Sequence, residues 1–474
     1  MSRRGRLLQV AAGLAVMAGA AAVPGATAAA PTTPAAGASM PTPLLSVRRV
    51  PGWIESTLAG QRVAATLAGI VTPAALGPAT ACLLVEQGGR VLTARNATTP
   101  VIPASNMKIL TATAALDKLG PGYRYTTAVK ADRAPAGGVV TGNLYLIGSG
   151  DPVLRTPQYE ATLRDTVPPY TSLAALAAQV RAAGVTEVTG AVIGDESRYD
   201  TQRRIPTWKP VYTEEGDAGP LSALNVDDGF ASTPTGFVGA TQPAQAAAQT
   251  FTALLAAAGV KVDGPAAGQG SAPAAAVPVT SIQSAPLSQI LDAILTPSDD
   301  TAAELVTKEL GKVAGGGGTT AAGTAVIKAD LTADGLPVAG LVAVDGSGLD
   351  RGDRATCALV VAALDRAGTG SALISELPVA GKTGTLSYRM RGTPAVGRVL
   401  AKTGTLDDVS ALSGFVLAST TAPAPTLQLR APVVFSLIMN GVPVSTGIDL
   451  GNRVGVALAG YPVVPAVSTL DPQT

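Results

Sequence analysis

The stretch from 81 to 120 constrains this chain more than any other. ACLLVEQGGRVLTARNA (81–97) reads as a hairpin: an apolar strand, a turn at Gly88-Gly89 and a second strand. PASNMKILTATAALDKLG (103–120) then reads as a helix. Pro103 opens it, apolar residues recur at helical spacing, and Gly120 stops it, so Ser105 falls in its first turn. The texture then changes. From 123 to about 280, short strands and turns (NLYLIGSGDPVL, 143–154; GAVIGDESRYD, 190–200) surround a helix at 171–183. A Gly/Ala/Pro-rich stretch at 263–278 reads as a boundary. The helical pattern resumes at 285–311, followed by expected helices near 319–333 and 355–367, strands at 397–401, 409–420 and 431–441, and a closing helix at 447–460. The expectation is an α+β domain in two pieces, 46–122 and 281–465, interrupted by a mostly β inserted region at 123–280.

The N-terminus has the pattern of a signal peptide over 1–28. A basic start (Arg3, Arg4, Arg6) leads into an apolar run from Leu7 to Val23 and a small-residue cleavage signal at Ala26 and Ala28. An uncleaved membrane anchor is the alternative, and either way the body is expected outside the cytoplasm. A Pro/Ala/Thr-rich linker is expected at 29–45 and a short tail at 466–474. Without the first 28 residues the chain has 31 basic and 33 acidic residues, which gives no basic surface for nucleic acid. Cys82 and Cys357 form either one disulfide or two buried thiols.

The 474 residues include no histidine. That excludes Ser-His-Asp triads, Cys-His pairs and His-ligated zinc. A hydrolase built on this chain must take its base from Asp, Glu or Lys.

Ser105-Asn106-Met107-Lys108 is an S-x-x-K tetrad at a helix start, where residues three apart share a face and the lysine can reach the hydroxyl. Taken alone, it also describes a capped helix with an exposed lysine. A lysine of ordinary pKa is a poor base at neutral pH unless burial and a second cation lower it. KTGTL occurs twice, at 382–386 and 402–406. Only the second copy has a strand before it and a plausible partner strand after it, so Lys402 is the expected second cation. The order S-x-x-K, long interruption, K-T-G before a strand matches serine-acylating machinery.

Several segments together resemble the serine D-alanyl-D-alanine carboxypeptidase/endopeptidase family, the low-molecular-mass class C penicillin-binding proteins (peptidase family S13). They are TTPVIPASNMKILTATAAL, GNLYLIGSGDPVL, AVIGDESRYD, GPLSALNVDD, TPSDDTAAELVTKELG, VDGSGLDRGD and GTPAVGRVLAKTGTLDDVSALSGF. The resemblance spans nearly the whole mature chain. It implies a penicillin-binding-protein/β-lactamase-like transpeptidase domain, an antiparallel sheet covered by helices. It also implies an enzyme acting on peptidoglycan peptides ending in D-Ala-D-Ala, with β-lactams as covalent inhibitors and no metal or organic cofactor. By the same resemblance, Ser105 is the nucleophile, Lys108 the general base and Ser298 a proton shuttle. Lys402, Thr403 and Gly404 bind the terminal carboxylate, and the N–H groups of Ser105 and Thr405 form the oxyanion hole. The first KTGTL copy matches a segment that usually reads G-x-DGTL in relatives and is identified as a drifted form of it.

One departure concerns the middle motif, which is S-D-N in the family and Ser298-Asp299-Asp300 here. An ionised Asp300 accepts hydrogen bonds and cannot donate them. Beside two lysines it would hold them charged, giving lower activity, a shifted pH optimum or an altered substrate preference. The alternative is a tolerated substitution whose charge Lys402 offsets. A second departure, Asp350 and Asp353 in SGLDRGD, reads as loop-geometry and surface changes. Trp208 and Tyr388 read as packing aromatics, with the lining of a peptide groove as the alternative. Competing functions are a β-lactamase or esterase on the same scaffold, and a peptidoglycan-binding scaffold weakened by Asp300.

Overall fold

Two distant stretches of chain meet in one sheet. A computed structural model of the protein describes residues 50–163, 170–233, 236–265, 270–418 and 431–462. The expected signal peptide, linker and C-terminal tail lie outside the described residues. The strands of the two larger sheets are β1 (Thr80–Gln87), β2 (Arg90–Arg95), β3 (Thr126–Ala131), β4 (Leu144–Ile147), β5 (Val192–Asp195), β6 (Val277–Gln283), β7 (Val399–Leu406), β8 (Val409–Val416) and β9 (Val433–Asn440). The longer helices are α1 (Val50–Ile70), α2 (Met107–Lys118), α3 (Leu173–Ala182), α4 (Pro243–Ala257), α5 (Leu287–Leu295), α6 (Asp300–Ala314), α7 (Thr320–Ala333), α8 (Cys357–Ala367) and α9 (Val444–Ala459).

The main sheet is antiparallel throughout, in the order β7-β8-β9-β1-β2. Its hairpin β1–β2 turns at Gly88 and Gly89, whose φ values of 56° and 76° suit a tight turn that a side chain would disfavour. Alternate residues of each strand serve opposite cores. Cys82, Leu84, Phe415 and Ile438 face α2, α5, α6, α7 and α8, whereas Leu83, Val85, Leu412 and Phe435 face α1 and α9. Because both faces are covered, every residue of β8 is buried, and VSALSGFV shows no polar alternation. Cys82 on β1 is disulfide-bonded to Cys357 at the start of α8, their Cα atoms 5.9 Å apart, which decides between the two cysteine readings.

The second sheet runs β6-β3-β4-β5, with β4 and β5 parallel, and encloses its own core with α3 and α4. Its surroundings grip α6. Glu309 accepts hydrogen bonds from Arg198 (2.9 Å) and Tyr199 (2.7 Å), Lys308 pairs with Asp200, and the Gly219 N–H donates to the Thr301 hydroxyl (2.9 Å). Among the described residues no helix is long and apolar enough to cross a membrane.

Candidate active site

Residues 104–106 make a 3₁₀ turn that leads into α2 and carries Ser105, half-exposed, at its centre. Three contacts fix this turn. The Asn440 side chain at the end of β9 accepts from the Ile102 N–H (2.7 Å) and donates to its carbonyl (3.0 Å). Gly348, at φ 88°, lies where a Cβ would come within 1.9 Å of the Ala104 carbonyl oxygen. On β7, Gly404 brings the strand so close that a Cβ would meet the Pro103 carbonyl at 3.0 Å. Ala104 itself is held at φ 48°, a left-handed conformation that costs a residue with a side chain on the order of 1–3 kcal/mol. The surrounding contacts impose it, and it aims Ser105 away from the core.

Lys108 is fully buried, one turn on from Ser105. An ammonium group has three protons to donate, and Lys108 has three acceptors: the Ser105 hydroxyl (3.2 Å), the Ser347 carbonyl (2.9 Å) and an Asp300 carboxylate oxygen. Asp300 is the first residue of α6, whose N-cap is Asp299, accepting from the Ala302 N–H at 2.8 Å. Burial raises Asp300 to about 6 against the pull of Lys108. Asp299 is in turn paired with Arg155 (3.5 Å), a buried arginine from the inserted region that also meets Glu160 (3.3 Å) and Asp228 (3.8 Å).

Lys402 on β7 is fully buried and donates to the Thr403 carbonyl (3.0 Å). Burial first, then the charge of Lys108, push its pKa well below the ordinary lysine value, with Asp300 opposing. The Thr403 hydroxyl bonds that of Thr385 (2.7 Å), while Thr405 is exposed. The two KTGTL copies are therefore side by side. Lys382 of the first copy is exposed, yet Thr385 of that copy supplies a partner for the second.

Ser105, Lys108, Asp300 and Lys402 thus converge. Ser298 lies in the loop before α6, half-buried, at φ 72°. Among the described residues no hydrogen bond joins its hydroxyl to either lysine. The sequence reading missed Asn440, Gly348 and the Ser347 carbonyl. The last two had a signal, through the VDGSGLDRGD segment, and Asn440 had none. That loop also corrects an expectation: Asp350 and Asp353 are buried, not surface residues. Asp353 accepts from the Val344 N–H (2.7 Å), and Asp350 bonds the Gly352 N–H (2.6 Å), so both shape the loop that presents the Ser347 carbonyl. Glu304 accepts from the Gly346 and Ser347 N–H groups (2.8 and 2.7 Å). Burial raises Glu304 to about 8. Trp208 is buried and donates to Asp345 (2.8 Å). Tyr388, expected to pack, is 81% exposed under Arg391.

A serine backed by a buried lysine, at the foot of a helix on a five-stranded antiparallel sheet, defines a serine acyl-enzyme of the penicillin-binding type. The fold agrees with the crystal structure of penicillin binding protein 4 from Haemophilus influenzae. That structure is 20% identical and has a TM-score of 0.66, covering 82% of this chain and 98% of that one. The chain belongs to the D-Ala-D-Ala carboxypeptidase 3 (S13) family, whose profile matches residues 63–237 and 231–454. It is 31% identical to a D-alanyl-D-alanine carboxypeptidase of Actinomadura sp. (strain R39), over 82% of both chains. It is 32% identical to carboxypeptidase DacB of Mycolicibacterium smegmatis (strain ATCC 700084 / mc(2)155), over 73% of both.

Proposed function

We propose that this protein is a serine D-alanyl-D-alanine carboxypeptidase that trims peptidoglycan stem peptides outside the cytoplasm, and that β-lactams acylate the same serine. The observation that carries this is the hydrogen bond from buried Lys108 to the Ser105 hydroxyl (3.2 Å) at the mouth of a rigidly held turn. Ser105 attacks the carbonyl of the penultimate D-Ala and Lys108 takes its proton. The N–H groups of Ser105 and Thr405 receive the oxyanion. Lys402, Thr403 and Gly404 hold the terminal carboxylate, for which a buried cation is the matching partner. Ser298 delivers a proton to the departing D-Ala, and water hydrolyses the acyl-enzyme.

The test is labelling of the mature protein by a fluorescent penicillin beside a Ser105→Ala control. Wild type is expected to label and the variant to stay dark; an unlabelled wild type sinks the proposal. Release of D-Ala from a pentapeptide then separates a peptidase from a penicillin-binding scaffold, and rapid loss of the label would indicate a β-lactamase. A D,D-cross-link presents the same acyl carbon, so cross-linked dimers in the same assay read out endopeptidase turnover.

A further inference from the structure

The Lys108–Asp300 contact poses a chemical problem. A lysine that must accept a proton from Ser105 already carries three protons and sits against a carboxylate. In water the ordinary pKa values of the two groups differ by about six and a half units, so the ion pair would persist and Lys108 would be no base. The site is not water. Both groups are buried, Lys402 lies beside them as a second cation, and no solvent stabilises separated charge.

We propose that Lys108 and Asp300 work as one proton-relay pair, in which Lys108 passes an ammonium proton to the Asp300 carboxylate as it takes the hydroxyl proton of Ser105. This rests on Ser105 being the acylated residue. The balance is closed within the protein. A lone pair of the Ser105 oxygen forms the bond to the acyl carbon, and the carbonyl π pair moves onto oxygen. The serine proton goes to the Lys108 nitrogen, and one Lys108 proton goes to Asp300. On collapse the oxygen pair restores the carbonyl and the C–N pair leaves with nitrogen. That nitrogen takes a proton from Lys108, and Lys108 recovers one from Asp300. The net change is one proton moved from Ser105 to the leaving amine, with the pair restored. Hydrolysis of the acyl-enzyme repeats the sequence with water in place of the serine hydroxyl.

An amide at position 300 could not do this, because it has no site for the extra proton. The carboxylate lets a free amine arise without losing a proton to solvent, so the Asp that departs from the S-D-N pattern becomes a working part. The groups facing the pair are few. Lys402 approaches from β7, Asp345 and the Ser347 carbonyl from the loop before α8, and Asp217 from the inserted region; Asp299 precedes Asp300 and is paired with Arg155. The burial that lifts Asp300 to about 6 brings its proton affinity toward that of an amine.

The experiment is the acylation rate with fluorescent penicillin from about pH 5 to about pH 10 for wild type and Asp300→Asn, with Ser105→Ala as blank. The pair is inactive once Asp300 is protonated beside a charged Lys108. The wild-type rate should therefore rise through an acid limb near Asp300's value of about 6 and then hold. In Asp300→Asn the lysine must lose its proton to solvent. The limb should move up by about two pH units or more, and the rate at neutral pH should drop about tenfold or more. An unmoved limb, or an Asn variant faster at neutral pH, overturns the relay; the latter would make Asp300 a brake. If the Asn variant does not fold, as read by its melting curve, the wild type decides alone: an acid limb above about pH 8 overturns the proposal. A folded wild type that never labels refutes the acylation reading itself, which is a separate result.

Discussion

Two lysines in the same five letters have opposite surroundings. Lys402 is buried within the field of Lys108, whereas Lys382 is exposed, its ammonium lying over Gly397. Lys402→Ala removes the cation and opens a cavity in β7, and acylation by fluorescent penicillin should fall by about a hundredfold or more. Lys382→Ala changes an exposed residue and should leave the rate nearly intact and stability within about 0.5 kcal/mol. The reverse order would move the active-site assignment to the first copy. This contrast was legible in the sequence because a strand context differs from a turn context over only a few neighbouring residues. S-x-x-K was legible for the same reason, since one helical turn brings its two ends together. Asn440 was not. It lies 338 residues from Ile102, and its contribution is two bonds to a backbone that any residue could present. The burial of Asp353 was hidden too, because its partners are backbone N–H groups of its own loop and leave no mark in residue type.

At the scale of elements, α6 is where the inserted region meets the chemistry. Its N-terminus is defined by Asp299, whose carboxylate accepts from the Ala302 N–H. The cap's other partner, Arg155, is 144 residues away and had no sequence signal, because an ion pair across two parts of a fold follows no local period. Asp299→Ala should therefore cost more than a cap alone. Losing the cap costs about 1 kcal/mol, and buried Arg155 loses one of its three carboxylate partners, keeping Glu160 (3.3 Å) and Asp228 (3.8 Å), which adds to the loss. Asp299→Asn keeps the capping oxygen and should recover most of the cap's share. Denaturant melts of the three proteins give the comparison, and an alanine variant as stable as wild type would show that the first turn of α6 is held by packing alone. The Ala variant should also acylate more slowly, since Asp300 is the next residue and takes its position from that turn.

For the whole molecule, the features that build the site also strain it. The disulfide ties β1 of the main sheet to α8, and the Glu309 contacts tie the second sheet's surroundings to α6. That frame can hold carboxyl groups where water does not reach. Asp151 and Asp300 are each raised to about 6 and Glu304 to about 8, burial being the first cause in every case. The direction of linkage follows. A carboxyl group whose folded pKa lies above its unfolded value binds more protons folded than unfolded. Its contribution is complete below about pH 4 and is lost as pH rises through about 6 for the two aspartates and about 8 for Glu304. Lys402 runs the other way, since its lowered value makes stability recover as pH climbs toward that of a free lysine. Over the window from about pH 5 to about pH 8 the three acids act together, and the melting temperature should fall with rising pH. Glu304→Gln should flatten that fall: an amide still accepts from Gly346 and Ser347 but has no charge to bury. At pH 8 the variant should be the more stable by on the order of 1–3 kcal/mol, and near pH 5 the two should be close. Melting curves at both pH values test this, and a wild type whose melting temperature rises across the window would refute it. Acylation needs Asp300 ionised, so the protein should be most active where the burial of these carboxylates costs it most stability.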